Sequence, residues 1–427
     1  MKKPCLSAPI LIRPIPTALS SFFCNFAPCK NIYGKMRLYT TLLYLMLAAM
    51  VSLQAQELDF IKTDINHIDM NGDDWSCLTD ELLNPATDLP DGKFNILHIG
   101  DSHIQADYMT TVTRRLLQQQ FGNGGRGCIA ALKLAGTNQP DNYSFTADAS
   151  PVERCRLMRR RGNISPGLTG IGVSFGGTPP RKLTVTLHGD DSLFSHVALL
   201  HSPSQQCDTA WFDGSQCGGH KISDYATAYD LPSETQSATF YVNSTGTLYG
   251  AYLTNDQPGI IYNAIGNNGA CFADYLKIDN FAQQTEMLSP RLIILSFGTN
   301  EAFGRNSDSE IYASIDKLVS QLKEANPQAK FLLTTPMECQ RRIRRSRYAI
   351  NRRIASVRNV IIEYGREKRI PVWDLYEIAG GDGSSRLWLS NGLLSSRDHV
   401  HCQVIGYELQ GSLLADALIN QLMPQPQ

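Results

Sequence analysis

A chain of 427 residues, 42% of them hydrophobic and 19% charged, has the apolar material for a full core and lacks the charge excess of a disordered chain. Its 39 basic and 40 acidic residues nearly cancel, which excludes recruitment of nucleic acid by net charge. The balance is uneven, however. Lys2, Lys3, Arg13, Lys30, Lys35 and Arg37 precede residue 56 without one acid among them, so the remainder is mildly acidic.

Met36-Arg37 leads into a run from Leu38 to Gln56 that carries no charge, is most apolar between Leu42 and Val51, and has a small residue at Ala55. A short basic start, an apolar centre and a small residue before the cut are what export machinery reads. The run predicts a signal peptide and an exported protein of the periplasm or cell envelope. If it is not cleaved, the same run is the chain's one membrane anchor. Residues Met1–Lys35 show no periodicity and read as an extension ahead of a second start at Met36, so residues 1–55 are set apart from the fold. In an oxidising compartment Cys207 and Cys217 form the most plausible local disulfide.

The first element is the β-prone run Lys93–Ile99, which stops at Gly100-Asp101-Ser102. Met109, Val112, Leu116 and Leu117 then recur at helical spacing, and the glycines between Phe121 and Gly127 read as the turn that ends this helix. Between about Pro151 and Ile261 the helical period disappears. Alternating runs at Leu183–Leu187, His196–Leu200, Ala238–Val242 and Thr247–Leu253 predict an antiparallel β-sandwich inserted into an αβ domain. Strand and helix then alternate again: Leu292–Phe297, Ile311–Ala325, Phe331–Thr335, a long basic helix from about Tyr348 to Arg366, Val372–Leu375, and a closing helix Val404–Leu422. Such alternation predicts a parallel sheet covered on both faces. Residues 56–150 and 262–427 are thus expected to form one interrupted αβ domain, and 151–261 its insert.

Two arginine runs stand out. Arg156, Arg159, Arg160 and Arg161 open the insert, and Arg341, Arg342, Arg344, Arg345 and Arg347 precede the long helix. Runs of this kind are usually solvated faces; the alternative is contact with carboxylates of a ligand. No aromatics interleave with them in the manner of a nucleic-acid surface.

Three motifs present themselves. Gly172-Val173-Ser174-Phe175-Gly176 fits G-x-S-x-G but lacks the strand-to-helix context that exposes such a serine. Gly122-Asn123-Gly124-Gly125-Arg126-Gly127 fits G-x-G-x-x-G but follows a helix where a dinucleotide site must open one. Gly100-Asp101-Ser102-His103 passes the same test of context, because it lies between a strand and a helix, where open αβ sheets place their ligands. Asp398-His399-Val400-His401, ahead of the last helix, supplies a base for Ser102. An aspartate three residues before His401 can hold its imidazole; His399 competes for the role but is badly placed, directly next to Asp398, so His401 is favoured. Donors for an oxyanion come from Asn300, in Gly298-Thr299-Asn300 after a buried strand, and from the Gly266-Asn267-Asn268-Gly269 turn. Neither C-x-x-C nor H-E-x-x-H occurs, so no metal or other cofactor is expected.

Gly-Asp-Ser, a glycine turn, Gly-x-Asn and Asp-x-x-His in this order resemble the four blocks of the SGNH (GDSL) hydrolases. The resemblance implies a three-layer, flavodoxin-like α/β fold. It also implies Ser102 as nucleophile, Asp398 and His401 as the rest of a triad, and an oxyanion hole from Ser102, Gly269 and Asn300, with Gly266 as the alternative for the second block. Asn268-Gly269-Ala270 and Gly298-Thr299-Asn300-Glu301-Ala302-Phe303-Gly304 are most similar to the peptidoglycan O-acetylesterases of that family, which also carry a β-rich, carbohydrate-binding-like module between the first two blocks. The implied partner is an O-acetylated glycan, with peptidoglycan acetylated on the 6-hydroxyl of muramic acid foremost. The alternatives are an acetylesterase or O-acetyltransferase for another polysaccharide, or a noncatalytic glycan-binding envelope protein.

Overall fold

Phe94, Ile96, Leu97 and Ile99 are all buried, which is the apolar content on both pleat faces that a strand covered from two sides requires. The computed structural model describes residues 58–423, apart from Arg161, 177–180, 190–192, 204–208, 213–214, 243–245 and Ser346. The expected signal segment, Cys207 and Arg161 therefore lie outside the described residues. The central sheet contains β1 (Ile68–Asp69), β2 (Lys93–Gly100), β3 (Asn123–Gly125), β4 (Gly259–Gly266), β5 (Pro290–Ser296), β6 (Lys330–Thr334) and β7 (Val372–Trp373), in the order β1-β7-β6-β5-β2-β4-β3. Only β1 runs antiparallel to its neighbour. From β2 the chain first builds outward on one side, through β3 and β4, and then crosses to β5 on the other. The carboxyl end of β2 is therefore the topological switch point, where sheets of this kind bind ligands.

Two helices follow β2: the single turn α1 (Ser102–Gln105) and α2 (Tyr108–Phe121). Further along come the short α3 (Thr299–Phe303), then α4 (Asp308–Ala325), α5 (Arg353–Lys368) and α6 (Val404–Leu422). Helix α4 starts where a capping box fixes it. Ser307 Oγ accepts the Glu310 N–H at 3.3 Å, while the Glu310 carboxylate accepts the Ser307 N–H at 2.7 Å. Leu97 and Ile99 of β2 share one core with Ile311, Ile315 and Leu322 of α4 and with Ile354, Val357 and Ile361 of α5. On the opposite face α2 and α6 pack backbone to backbone. A Cβ at Gly411 would meet the Met109 carbonyl at 2.4 Å, and Thr113 Oγ1 donates to the Gly411 carbonyl at 3.0 Å.

The β-rich insert is a sandwich of two antiparallel sheets. Phe145, Val185 and Phe240 of one face Val197, Leu199, Tyr229 and Leu253 of the other. Its limits differ from the expected 151–261. Gly127–Ala130 and Tyr143–Ala147 already pair with its strands, whereas Gly259–Ile261 belongs to β4, eight residues parallel to β2. Alternation alone could not separate the two, because a strand in either sheet has the same period. The glycine-rich segment after α2 is also not a simple turn, since Asn123–Gly125 forms β3 on the sheet edge. Ser174 ends a strand of the sandwich, not a strand-to-helix elbow.

The largest difference lies at the second arginine run. The expected long helix begins at Arg353, not Tyr348, and residues Gln340–Arg344 and Arg347–Ile350 form a separate antiparallel hairpin. Val372–Leu375 is shorter than expected as well, since Leu375 already begins a helical turn.

Candidate active site

Ser102 is the first residue of α1, immediately beyond the end of β2. Asp101 caps this turn, its Oδ1 accepting the His103 N–H at 2.9 Å, so the serine is held at a strand-to-helix corner. Its hydroxyl donates to His401 Nε2 at 2.8 Å. On the far side of the ring, His401 Nδ1–H donates to Asp398 Oδ2 at 2.7 Å, which leaves Nε2 as the nitrogen able to take a proton. The other Asp398 oxygen accepts the backbone N–H of Val400 at 2.9 Å and of His401 at 3.1 Å. The spacing of three residues thus folds into a tight loop that aims the imidazole at Ser102.

The electrostatics agree with this geometry. The hydrogen bond that His401 donates to Asp398, against the opposing effect of burial, raises His401 above the ordinary histidine value. Burial would raise Asp398, but the bonds from the His401 ring and from two backbone N–H groups outweigh it and hold the carboxylate at about 2.

The two neighbouring histidines are occupied otherwise. His103 is pushed down to about 3 by burial and by His401, and its Nδ1 accepts the Tyr407 hydroxyl at 2.9 Å. Its ring stands 5.2 Å from that of His401, as a neutral wall. His399 adopts a positive φ of 58°, donates from Nδ1 to Gln340 Oε1 at 3.0 Å, and stacks on Tyr348 with 3.8 Å between ring centroids.

Asn300 lies on α3 beyond the end of β5, next to β2. Its amide donates to Asp101 Oδ2 at 3.1 Å and to the Ala270 carbonyl at 3.0 Å. The Asn267–Ala270 turn follows β4 on the other side of β2. It is strapped to the nucleophile corner by Asn267 N–H to the Gly100 carbonyl (3.1 Å) and by Asn268 N–H to Gln105 Oε1 (2.8 Å). Gly269 is exposed at its tip with φ 83°, and among the described residues no hydrogen bond engages its N–H. Gly266 occupies a different environment. It is buried beneath α1, where a Cβ would meet the Gln105 nitrogen at 2.0 Å, so its glycine is required by packing.

Three supporting residues escaped the reading by motif. Asp101 is buried and pushed up to about 7, an acid poised between the His103 N–H and the Asn300 amide. Glu301, pushed to about 7 by burial, accepts the N–H of Phe272 at 2.8 Å and of Gly298 at 2.9 Å, tying the two donor turns together. Tyr275 donates to the Gly100 carbonyl at 2.8 Å and accepts from Asn267 at 2.9 Å. Asp101 and Glu301 sit beside the motif residues in sequence, and adjacency was their only signal. Tyr275 had none.

The arrangement has a counterpart among known proteins. Residues 233–409 match the model of the GDSL-like lipase/acylhydrolase family. This segment of the chain is similar to the GDSL-like acylhydrolases. The match contains Gly269, Asn300, Asp398 and His401, while Ser102 lies upstream, beyond most of the sandwich. A solved peptidoglycan O-acetylesterase aligns with a TM-score of 0.70 over 83% of this chain and 99% of its own, at 23% identity, and establishes the α/β fold with its added antiparallel sheets. A lipase/acylhydrolase from Enterococcus faecalis aligns over 40% of the chain and 80% of its own (21% identity, TM-score 0.31), and an acetyl xylan esterase over 38% and 81% (20% identity, TM-score 0.30). No curated protein matches the sequence.

Proposed function

We propose that this protein is an exported serine esterase that removes O-acetyl groups from a glycan, foremost the 6-O-acetyl of muramic acid in peptidoglycan. The observation that carries the reading is the continuous relay from Ser102 Oγ through His401 to Asp398, with contacts of 2.8 and 2.7 Å. In the proposed reaction His401 Nε2 takes the Ser102 proton as Oγ attacks the acetyl carbonyl. The oxyanion is met by the N–H groups of Ser102 and Gly269 and by the Asn300 amide, which yields one of its two present acceptors. As the intermediate collapses, His401 gives that proton to the departing sugar oxygen, which leaves as a hydroxyl, and water repeats the attack on the acetyl-serine to release acetate.

The choice of an acetylated glycan rests on the blocks around Gly269 and Asn300 and on a fold shared along nearly the full length of a peptidoglycan O-acetylesterase. Export rests on the uncharged run after Arg37. The sandwich is proposed to carry part of the polymer. Residues 56–427 and a Ser102→Ala variant, given an aryl acetate and O-acetylated peptidoglycan, are expected to differ completely in acetate release on both substrates. Equal release by the two proteins would overturn the serine mechanism, and Ser102-dependent release from the aryl ester alone would overturn the peptidoglycan assignment.

A further inference from the structure

The two arginine runs, separated in sequence by some 180 residues, converge on the same site from opposite sides. The Gln340–Ile350 hairpin follows β6, on one side of β2, and is fastened to the loop that carries Asp398 and His401. Gln340 N–H donates to the His399 carbonyl at 3.0 Å, Gln340 Oε1 accepts from the His399 ring, Tyr348 stacks on that ring, and the Tyr348 hydroxyl donates to the Arg397 carbonyl at 2.9 Å. On the other side of β2, the tight turn Arg156–Arg159 reaches the Gly269 turn. Met158 lies 3.8 Å from where a Gly269 Cβ would stand, and Arg159 N–H closes the turn on the Arg156 carbonyl at 2.8 Å.

Several arginines of the chain are used internally, and in the first run Arg156 and Arg160 donate to the carbonyls of Gly136 and Lys277. Arg114, Arg126, Arg291, Arg353 and Arg358 pair with carboxylates of the fold. Arg341, Arg342, Arg344, Arg345, Arg347 and Arg159 are exposed, and among the described residues none forms an ion pair. An unpaired guanidinium presents a planar fork of donors that matches a carboxylate. One such contact at a surface is weak, but several held at fixed positions along one chain act together.

Resting on the esterase reading, we propose that the two turns form a cationic rim that grips the carboxylates of an anionic substrate polymer on both sides of the ester to be cleaved. One turn abuts the loop of His401 and the other the Gly269 turn, the two segments that flank Ser102, so a chain spanning both turns would cross the edge of the sheet that carries Ser102. The chemical class selected is therefore a glycan bearing carboxylates at regular intervals, on its sugars or its attached peptides. A neutral acetylated polysaccharide would leave the rim idle. The positive φ of His399 is braced by Gln340 and Tyr348, which ties the hairpin to the loop that carries Asp398 and His401.

The test uses binding, not turnover. Ser102→Ala protein is titrated with solubilised peptidoglycan fragments whose carboxyls are intact or converted to amides, at low and high salt. A second protein adds R342Q, R344Q, R345Q and R159Q, and a third carries lysine at the same four positions. Intact fragments are expected to bind at least about tenfold more tightly than amidated ones, with the preference fading at high salt. The glutamine set should lose that preference, and the lysine set should keep most of it, which separates loss of charge from loss of fold. Equal binding of both fragments by the parent, or undiminished preference in the glutamine set, overturns the proposal. So does equally tight, arginine-dependent binding of phosphatidylglycerol vesicles or DNA, which would make the rim a general polyanion surface. Because no acetate is released, failure here leaves the esterase reading standing, and failure of the acetate assay leaves this result standing.

Discussion

His401 and Asp101 lie close together and are tuned in different ways. The carboxylate of Asp398 raises His401, whereas burial raises Asp101 to about 7. A histidine acts as a base only when neutral, so a raised value moves the loss of activity on the acid side upward. Turnover of a neutral aryl acetate should fall as pH drops through a value above the ordinary ~6.5. In Asp398→Asn the bond that raises His401 is weakened and the ring is free to adopt the wrong tautomer. The acid limb should then move to lower pH while kcat falls by about 10³ to 10⁴. A pH–rate profile of both proteins checks the sign. An unmoved acid limb in the variant would mean that another group controls it.

At the scale of elements, the site depends on how closely three strand ends approach. Gly266 lets the backbone of α1 settle on the end of β4, and Gln105 in that same turn holds the Asn268 N–H. Gly266→Ala places a methyl group 2.0 Å from the Gln105 nitrogen. Because the neighbour is backbone, α1 has to lift. The expected cost is about 1–3 kcal/mol of stability, read by urea denaturation, together with a fall in kcat, since Ser102 rides on the displaced turn. Gly269→Ala should behave differently. The nearest atom to its added methyl is 3.8 Å away, so what opposes it is the positive φ of 83°, not a clash.

Across the whole molecule the sandwich is not a detachable ornament. Leu200, Ala226 and Tyr249 on its outer face lie in the same core as Phe272, Tyr275 and Ile265 of the catalytic layer, and residues 59–427 form one compact unit. Heating or urea should therefore unfold these residues in a single cooperative transition, with circular dichroism and tryptophan fluorescence tracing the same curve. Two separated transitions would show that the sandwich folds alone. The same continuity means that removing the sandwich would strip an apolar face from the catalytic layer. Its role in polymer binding is better examined by exchanging exposed side chains.

The sequence by itself located the blocks from which the candidate site is built. Each block is local: a β-prone run ending at Gly100-Asp101-Ser102, a buried strand ending before Gly298-Thr299-Asn300, and an aspartate three residues ahead of a histidine. Short-range pattern suffices for these, because strand period, turn residues and the reach of a side chain across one turn all act within a few positions. The choice of His401 over His399 was legible for the same reason. Tertiary structure alone decided where the insert begins and ends, since β4 and the sandwich strands alternate alike and differ only in the partner they find. It also decided which glycine is packed and which lies open, and it turned Gln340–Ile350 from an expected approach to a helix into a hairpin. Arg341-Arg342-Ile343-Arg344-Arg345 has no apolar alternation to announce a strand. The hairpin is fastened instead by contacts with His399 and Arg397, roughly 50 residues away, and a contact at that distance is formed by the folded chain and not by its local pattern.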